Sequence, residues 1–114
     1  MKAILKQIME KYGTYGVDWM GFALSKKNPL TYHHIEKVCD KGEKTIENGA
    51  PLSKKAHRFL NFIEVNDSEL YDEWNRLFKE INSSENSPTE IHQEKIKTLR
   101  KKGKELENKF MKRK

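Results

Sequence analysis

The sequence predicts an α+β fold, mostly helical, in a single domain. Three observations carry this expectation. Apolar residues recur at helical spacing in four separate segments. Two short stretches between the first and second of these, "LTYHHI" and "ENGAPL", carry strand-forming residues and turn signals. The length, 114 residues, suffices for one modest core. Hydrophobic and charged residues each make up 35% of the chain, so the core should be small and some helices should extend as exposed, charged surfaces.

The first helix is expected from Ile4, Leu5, Ile8, Met9 and Tyr12, with Gly13 as its stop. "GTYGVDWMGFALSKKNP" follows, rich in glycine and aromatic residues. It reads as an ordered but irregular connection in which Trp19 and Phe22 anchor the core. After "LTYHHI", the polar stretch "CDKGEKTI" reads as a loop. "ENGAPL" is then a second strand entered through Asn48-Gly49. Pro51 within it requires an edge or strand-end position. Ser53 is placed to cap a helix whose apolar face is Ala56, Phe59, Leu60 and Ile63. Another helix starts near Asp67 or Ser68, with Leu70, Trp74, Leu77, Phe78 and Ile81 as its stripe. Ser87, Pro88 and Glu90 form a capping box for the last helix, about residues 88–112. Its seam, Ile96, Leu99, Leu106 and Phe110, is narrow and interrupted by Gly103.

Charge and cysteine content narrow the function classes. The net charge is +6. From Lys95 to Lys114 there are ten basic and two acidic residues, so the positive excess is a carboxy-terminal feature. Such a run is either a solvated helical face or a surface that attracts a polyanion, most often nucleic acid. The one cysteine, Cys39, excludes a disulfide framework and a multi-cysteine zinc site. It fits a reduced, cytoplasmic setting. "MKAILKQIMEKYG" lacks a long apolar region and no run reaches membrane-spanning length, so no membrane partner is expected.

Three of the four histidines fall between residues 30 and 61. His33 and His34 are adjacent on the expected first strand and therefore point to opposite faces. His57 and Asn61, four apart on the following helix, share one face. This placement suits two jobs, one imidazole binding a metal and another acting as a free base. Phosphodiester hydrolysis needs both. An imidazole titrates at about 6.5 and can activate water near neutral pH. A cation offsets charge on the phosphate and leaving oxygen. Singly, each residue has a blander reading: a histidine pair is often structural, a lone helical histidine is often satisfied by a neighbour, and Asn-Gly is a common turn.

Taken in order, "LTYHHI…ENGAPLSKKAHRFLN" resembles the HNH nuclease motif, the ββα-metal fold. It is similar to short phage-type members without zinc-binding CxxC pairs. The resemblance covers residues 30–61 and extends loosely over "YGVDWMGF" and the next helix. It implies a ββα-metal hairpin-helix core at about 30–65, flanked by amino- and carboxy-terminal helices. It implies that His33, His57 and Asn61 bind the metal, that His34 is the general base, and that Asn48 holds the hairpin and the base. Asn61 stands where some members carry histidine. Charge and position add Lys41, Lys44, Lys54, Lys55 and Arg58 as phosphate contacts. The function implied is a metal-dependent DNA endonuclease, with Mg²⁺ as the first choice of ion and Mn²⁺, Zn²⁺ or Ni²⁺ behind it. Implied partners are DNA and phage packaging or replication proteins, in the host cytoplasm if the chain is phage-encoded. A homo-oligomer through the last helix is a further expectation. The alternative is a non-catalytic module of the same fold that binds DNA or inhibits a host protein. A coiled-coil interaction protein is a third reading, and it leaves the histidines unexplained.

Overall fold

The structure is a computed structural model, and it describes residues 6–7, 16–35, 48–84 and 90–111. The described elements make an α+β arrangement of one antiparallel hairpin followed by three helices. These are β1 (Leu30–His34), β2 (Gly49–Ser53), α1 (Lys54–Asn66), α2 (Ser68–Ser83) and α3 (Glu90–Met111). The expected amino-terminal helix lies outside the described residues except at Lys6 and Gln7, which are helical. Cys39, Lys41, Lys44 and the capping residues Ser87 and Pro88 also lie outside them.

The hairpin pairs Leu30 with Ser53, Tyr32 with Pro51 and His34 with Gly49. Backbone bonds from Lys54 N–H to the Pro29 carbonyl and from Ile35 N–H to the Asn48 carbonyl, both 2.9 Å, bracket the ladder. Hydrogen-bonded and non-hydrogen-bonded pairs alternate in an antiparallel ribbon, so Tyr32 and Pro51 form a non-hydrogen-bonded pair. The missing N–H of Pro51 therefore costs no ladder bond, and the proline sits in mid-strand of a two-stranded ribbon that is all edge. Its carbonyl accepts from Trp19 N–H at 3.3 Å.

The junction between β2 and α1 uses every donor of the first helical turn. Such donors have no partner within a helix and must find one elsewhere. Ser53 N–H donates to Asp18 Oδ2 at 2.8 Å and Lys55 N–H to Asn28 Oδ1 at 2.8 Å. Ala56 N–H donates to Ser53 Oγ at 3.1 Å, the cap expected from the sequence. Lys54 N–H takes the Pro29 carbonyl. The other carboxylate oxygen of Asp18 accepts from Met20 and Phe22 N–H at 2.8 and 3.0 Å. The irregular 16–29 segment is thus built around Asp18 and Asn28, both buried.

The core lies where this segment, the inner face of the hairpin and all three helices meet. Trp19, Leu52, Ala56, Leu60, Ile63, Trp74, Phe78 and Ile81 are fully enclosed. The expected stripes of α1 and α2 are its walls, with Phe59 only half-buried. Trp74 and Trp19 pack on Phe78 with ring centroids 5.7 and 6.5 Å apart. Asp67 caps α2 through Leu70 N–H at 3.1 Å. Phe22 sits at the rim, against Phe59 at 5.8 Å and beneath the Arg100 guanidinium at 4.5 Å.

On α3, Ile96 and Leu99 are buried and Leu106 is half-buried. Phe110 is exposed but touches Phe62, with ring centroids 5.7 Å apart. Gly103 does not interrupt this seam; it is buried against Phe59 and Ile63 of α1. A Cβ there would collide with Phe59 Cζ and stand 3.1 Å from Phe59 Cε2 and 3.2 Å from Ile63 Cδ1. Helix propensity would favour a larger residue by up to about 1 kcal/mol, whereas overpacking costs about 1–3 kcal/mol. Gly103→Val is therefore expected to lower stability in urea denaturation, and shortening Phe59 to leucine in the same chain should return part of the loss. Equal stability of Gly103→Val and the parent would show that the crossing gives way freely.

Candidate functional site

Alternation along β1 sends Thr31 and His33 toward the helices and Tyr32 and His34 to the other face. His33 is buried, and its ring lies among three others. The centroids of His57 and Phe78 are each 5.6 Å away and that of Tyr71 is 6.4 Å away. The His33 and His57 rings are perpendicular. A histidine on the hairpin and a histidine on α1 therefore lie ring against ring. Asn61 follows His57 by one turn of α1 and is exposed.

Each of these rings is tied to the protein through one nitrogen. His33 Nε2 is 2.8 Å from Asn75 Oδ1 on α2. His57 Nδ1 is 2.9 Å from Thr31 Oγ1, and that hydroxyl also donates to the Leu52 carbonyl at 2.7 Å. Neither Thr31 nor Asn75 was singled out from the sequence. The available signal was periodicity. Tyr71, Asn75, Phe78 and Asn82 lie on one stripe of α2, and a polar residue on a buried stripe needs a partner. Asn82 finds one too, donating through Nδ2 to the Gly49 carbonyl at 2.9 Å.

His34 is half-buried on the opposite face and packs edge-on against Tyr32, with centroids 4.8 Å apart. Its cross-strand neighbour is Gly49, which brings no side chain to cover it. Asn48 precedes β2, and its carbonyl closes the ladder just beyond His34. The structure thus brings His33, His34 and His57 together around the far end of the hairpin and places Asn48 beside them. Lys54 and Arg58, both exposed and four apart on α1, flank the side that carries His57 and Asn61. Lys55 is exposed on a different side of α1, and Lys41 and Lys44 lie outside the described residues.

Burial pushes the His33 pKa down to about 4; the bond to Asn75 opposes this, and nearby His57 and His34 add to it. The His57 pKa is also lowered, first by burial and then by His34. Both rings are thereby favoured in the neutral form, the form that can offer a lone pair to a cation. A stability effect follows. The folded-state value of His33 lies below the ordinary 6.5, so its contribution is whole above about pH 6.5 and is lost as pH falls toward about 4. The loss is about 3 kcal/mol. His33→Leu should remove this component, so that the urea-derived stability of the parent falls relative to that of the variant as the pH is lowered through that window. A constant difference from pH 7 to pH 4 would contradict it.

Among the described residues, no group of three or more His, Cys, Asp and Glu side chains is arranged to hold a metal, so the candidate donor set is two imidazoles with the Asn61 amide. No described helix is long and apolar enough to cross a membrane. Compared with known proteins, the chain matches no family model, no curated protein and no solved structure.

Proposed function

We propose that this protein is a metal-dependent DNA endonuclease of the HNH type. The observation that carries the reading is the meeting of His33 from the hairpin with His57 from the helix, while His34, next in the chain, lies on the opposite face of β1. That arrangement supports a division between metal ligands and base. The donor chemistry fits a divalent cation: two rings, each with one nitrogen committed to the protein, and an amide one turn further along α1. Two imidazoles favour Zn²⁺ or Ni²⁺ over Mg²⁺, the ion placed first from the sequence.

His33, His57 and Asn61 would hold the ion, which would supply charge stabilisation at the scissile phosphate and the leaving oxygen. His34 takes a proton from water as the water oxygen bonds to phosphorus, and the phosphorus–oxygen bond to the leaving sugar breaks. The leaving oxygen recovers a proton from solvent. Asn48 keeps the strand end beside His34 in place through its carbonyl. Incubation with supercoiled plasmid tests this directly. Nicked or linear product should form with one of Mn²⁺, Zn²⁺, Ni²⁺ or Mg²⁺ and disappear with chelator; no product with any of the four ions would remove the endonuclease reading.

One observation favours the alternative of a non-catalytic module. His33 is enclosed among Tyr71 and Phe78 and already hydrogen-bonded, as a purely structural histidine would be. That reading predicts DNA or protein binding without metal uptake.

The basic α3 helix divides into two faces. Lys95 and Lys102 reach Glu80 and Glu73 on α2 at 2.8 and 3.2 Å, and Arg100 donates to the Gly21 carbonyl at 3.1 Å. These residues dock the helix. Lys97, Lys101 and Lys104 form an exposed outer stripe. Changing the three to glutamine should weaken DNA binding and reduce the slope of log affinity against log salt by about 0.9 for each lysine that touches a phosphate. An unchanged slope would make the stripe a solvated face.

A further inference from the structure

We propose that Thr31 and Asn75 are positioning residues that hold the two facing histidines as opposite tautomers. His57 carries its hydrogen on Nδ1 and His33 on Nε2, which leaves His57 Nε2 and His33 Nδ1 bare. The Thr31 hydroxyl has one hydrogen, directed at the Leu52 carbonyl 2.7 Å away. Toward His57 it can therefore only accept, so Nδ1, at 2.9 Å, must donate. An amide oxygen likewise only accepts, so His33 Nε2, 2.8 Å from Asn75 Oδ1, must donate as well.

The two locks come from different places. Thr31 is on the same strand face as His33, two residues before it, and its own partner belongs to β2. Asn75 comes from α2, outside residues 30–61, where the resemblance to the nuclease motif is carried. A neutral imidazole left to itself exchanges its hydrogen between the two nitrogens. Each exchange would put a hydrogen on the nitrogen a cation needs. Fixing both tautomers removes that competition before any ion arrives, and it fixes the ring planes as well. The cation half of this inference rests on the endonuclease reading, whereas the tautomer half stands on the hydrogen bonds alone.

The test uses the full chain with ¹⁵N-labelled histidine, free of metal, in long-range proton–nitrogen NMR spectra at alkaline pH. His57 should show the Nδ1–H pattern and His33 the Nε2–H pattern. Thr31→Val should mix or reverse the His57 pattern and spare His33, Thr31→Ser should restore it, and Asn75→Leu should do to His33 what Thr31→Val does to His57. Calorimetric titration with Zn²⁺ alone should show affinity falling about 10–100-fold in Thr31→Val and Asn75→Leu, with recovery in Thr31→Ser. Either ring in the opposite tautomer in the parent protein overturns the inference. So does an unchanged His57 pattern in Thr31→Val. Tautomers that respond as stated in a protein that takes up no Zn²⁺ would uphold the positioning roles and count against the metal-dependent reading instead.

Discussion

Replacing His34 with alanine is expected to abolish plasmid cleavage while folding, DNA affinity and metal uptake stay close to those of the parent. General-base catalysis contributes about 10²–10⁴ in rate, and among the described residues the strand neighbours of this ring supply no second base. Tyr32 offers an aromatic edge and Gly49 offers no side chain. The cost to stability is the loss of one ring contact, on the order of 1 kcal/mol. His57→Ala provides the contrast, since it should lose metal affinity together with activity. Cleavage within a few-fold of the parent in His34→Ala would remove this residue from the mechanism. Loss of metal uptake in the same variant would make it a ligand and reverse the assignment of the pair.

The second large effect concerns Asp18. Asp18→Ala should cost about 3–5 kcal/mol, a major fraction of the roughly 5–15 kcal/mol that holds a domain of this size together. The carboxylate accepts three backbone hydrogen bonds, from Met20, Phe22 and Ser53, and is itself buried. Removing it leaves three donors without an acceptor where water has little access. Asp18→Asn keeps the shape but turns one acceptor into an amino group facing a donor, and about 2 kcal/mol should go. Urea denaturation of both variants orders them. A loss under about 1 kcal/mol for the alanine form would show that the junction does not depend on this carboxylate.

The helices that follow the hairpin were readable because their periods are regular and their partners local. Leu70, Trp74, Leu77, Phe78 and Ile81 repeat at helical spacing, and each is buried. Ser53 sits immediately before a helix, so its capping role needs only its neighbours. Asp18 is different: its role depends on Ser53, 35 residues later, coming to meet it. Nothing in "YGVDWMGF" announces that meeting. Gly103 was misread for a related reason. Local propensity treats a glycine in a helix as a defect, and its use appears only when Phe59 and Ile63 lie across it. At the candidate site, the histidines were visible as unusual residues at suggestive positions, and alternation along β1 correctly divided His33 from His34. Their partners were not visible, because a threonine in a strand and an asparagine in a helix carry no mark of what they touch.

The plugged first turn of α1 also bears on how a nucleic acid would be gripped. The amino end of a helix commonly serves as a seat for phosphate, because its free N–H groups and dipole attract an anion. Here those groups are taken by Asp18, Pro29, Asn28 and Ser53, and one of the occupants is itself a carboxylate. An approaching phosphate would find no vacant donors at this helix end and a negative charge behind it. Any hold on the backbone must then come from flexible cationic side chains such as Lys54 and Arg58, which are exposed on the first two turns. Such a grip slides easily and answers strongly to ionic strength, and it can be retuned by surface substitutions that leave the buried junction untouched.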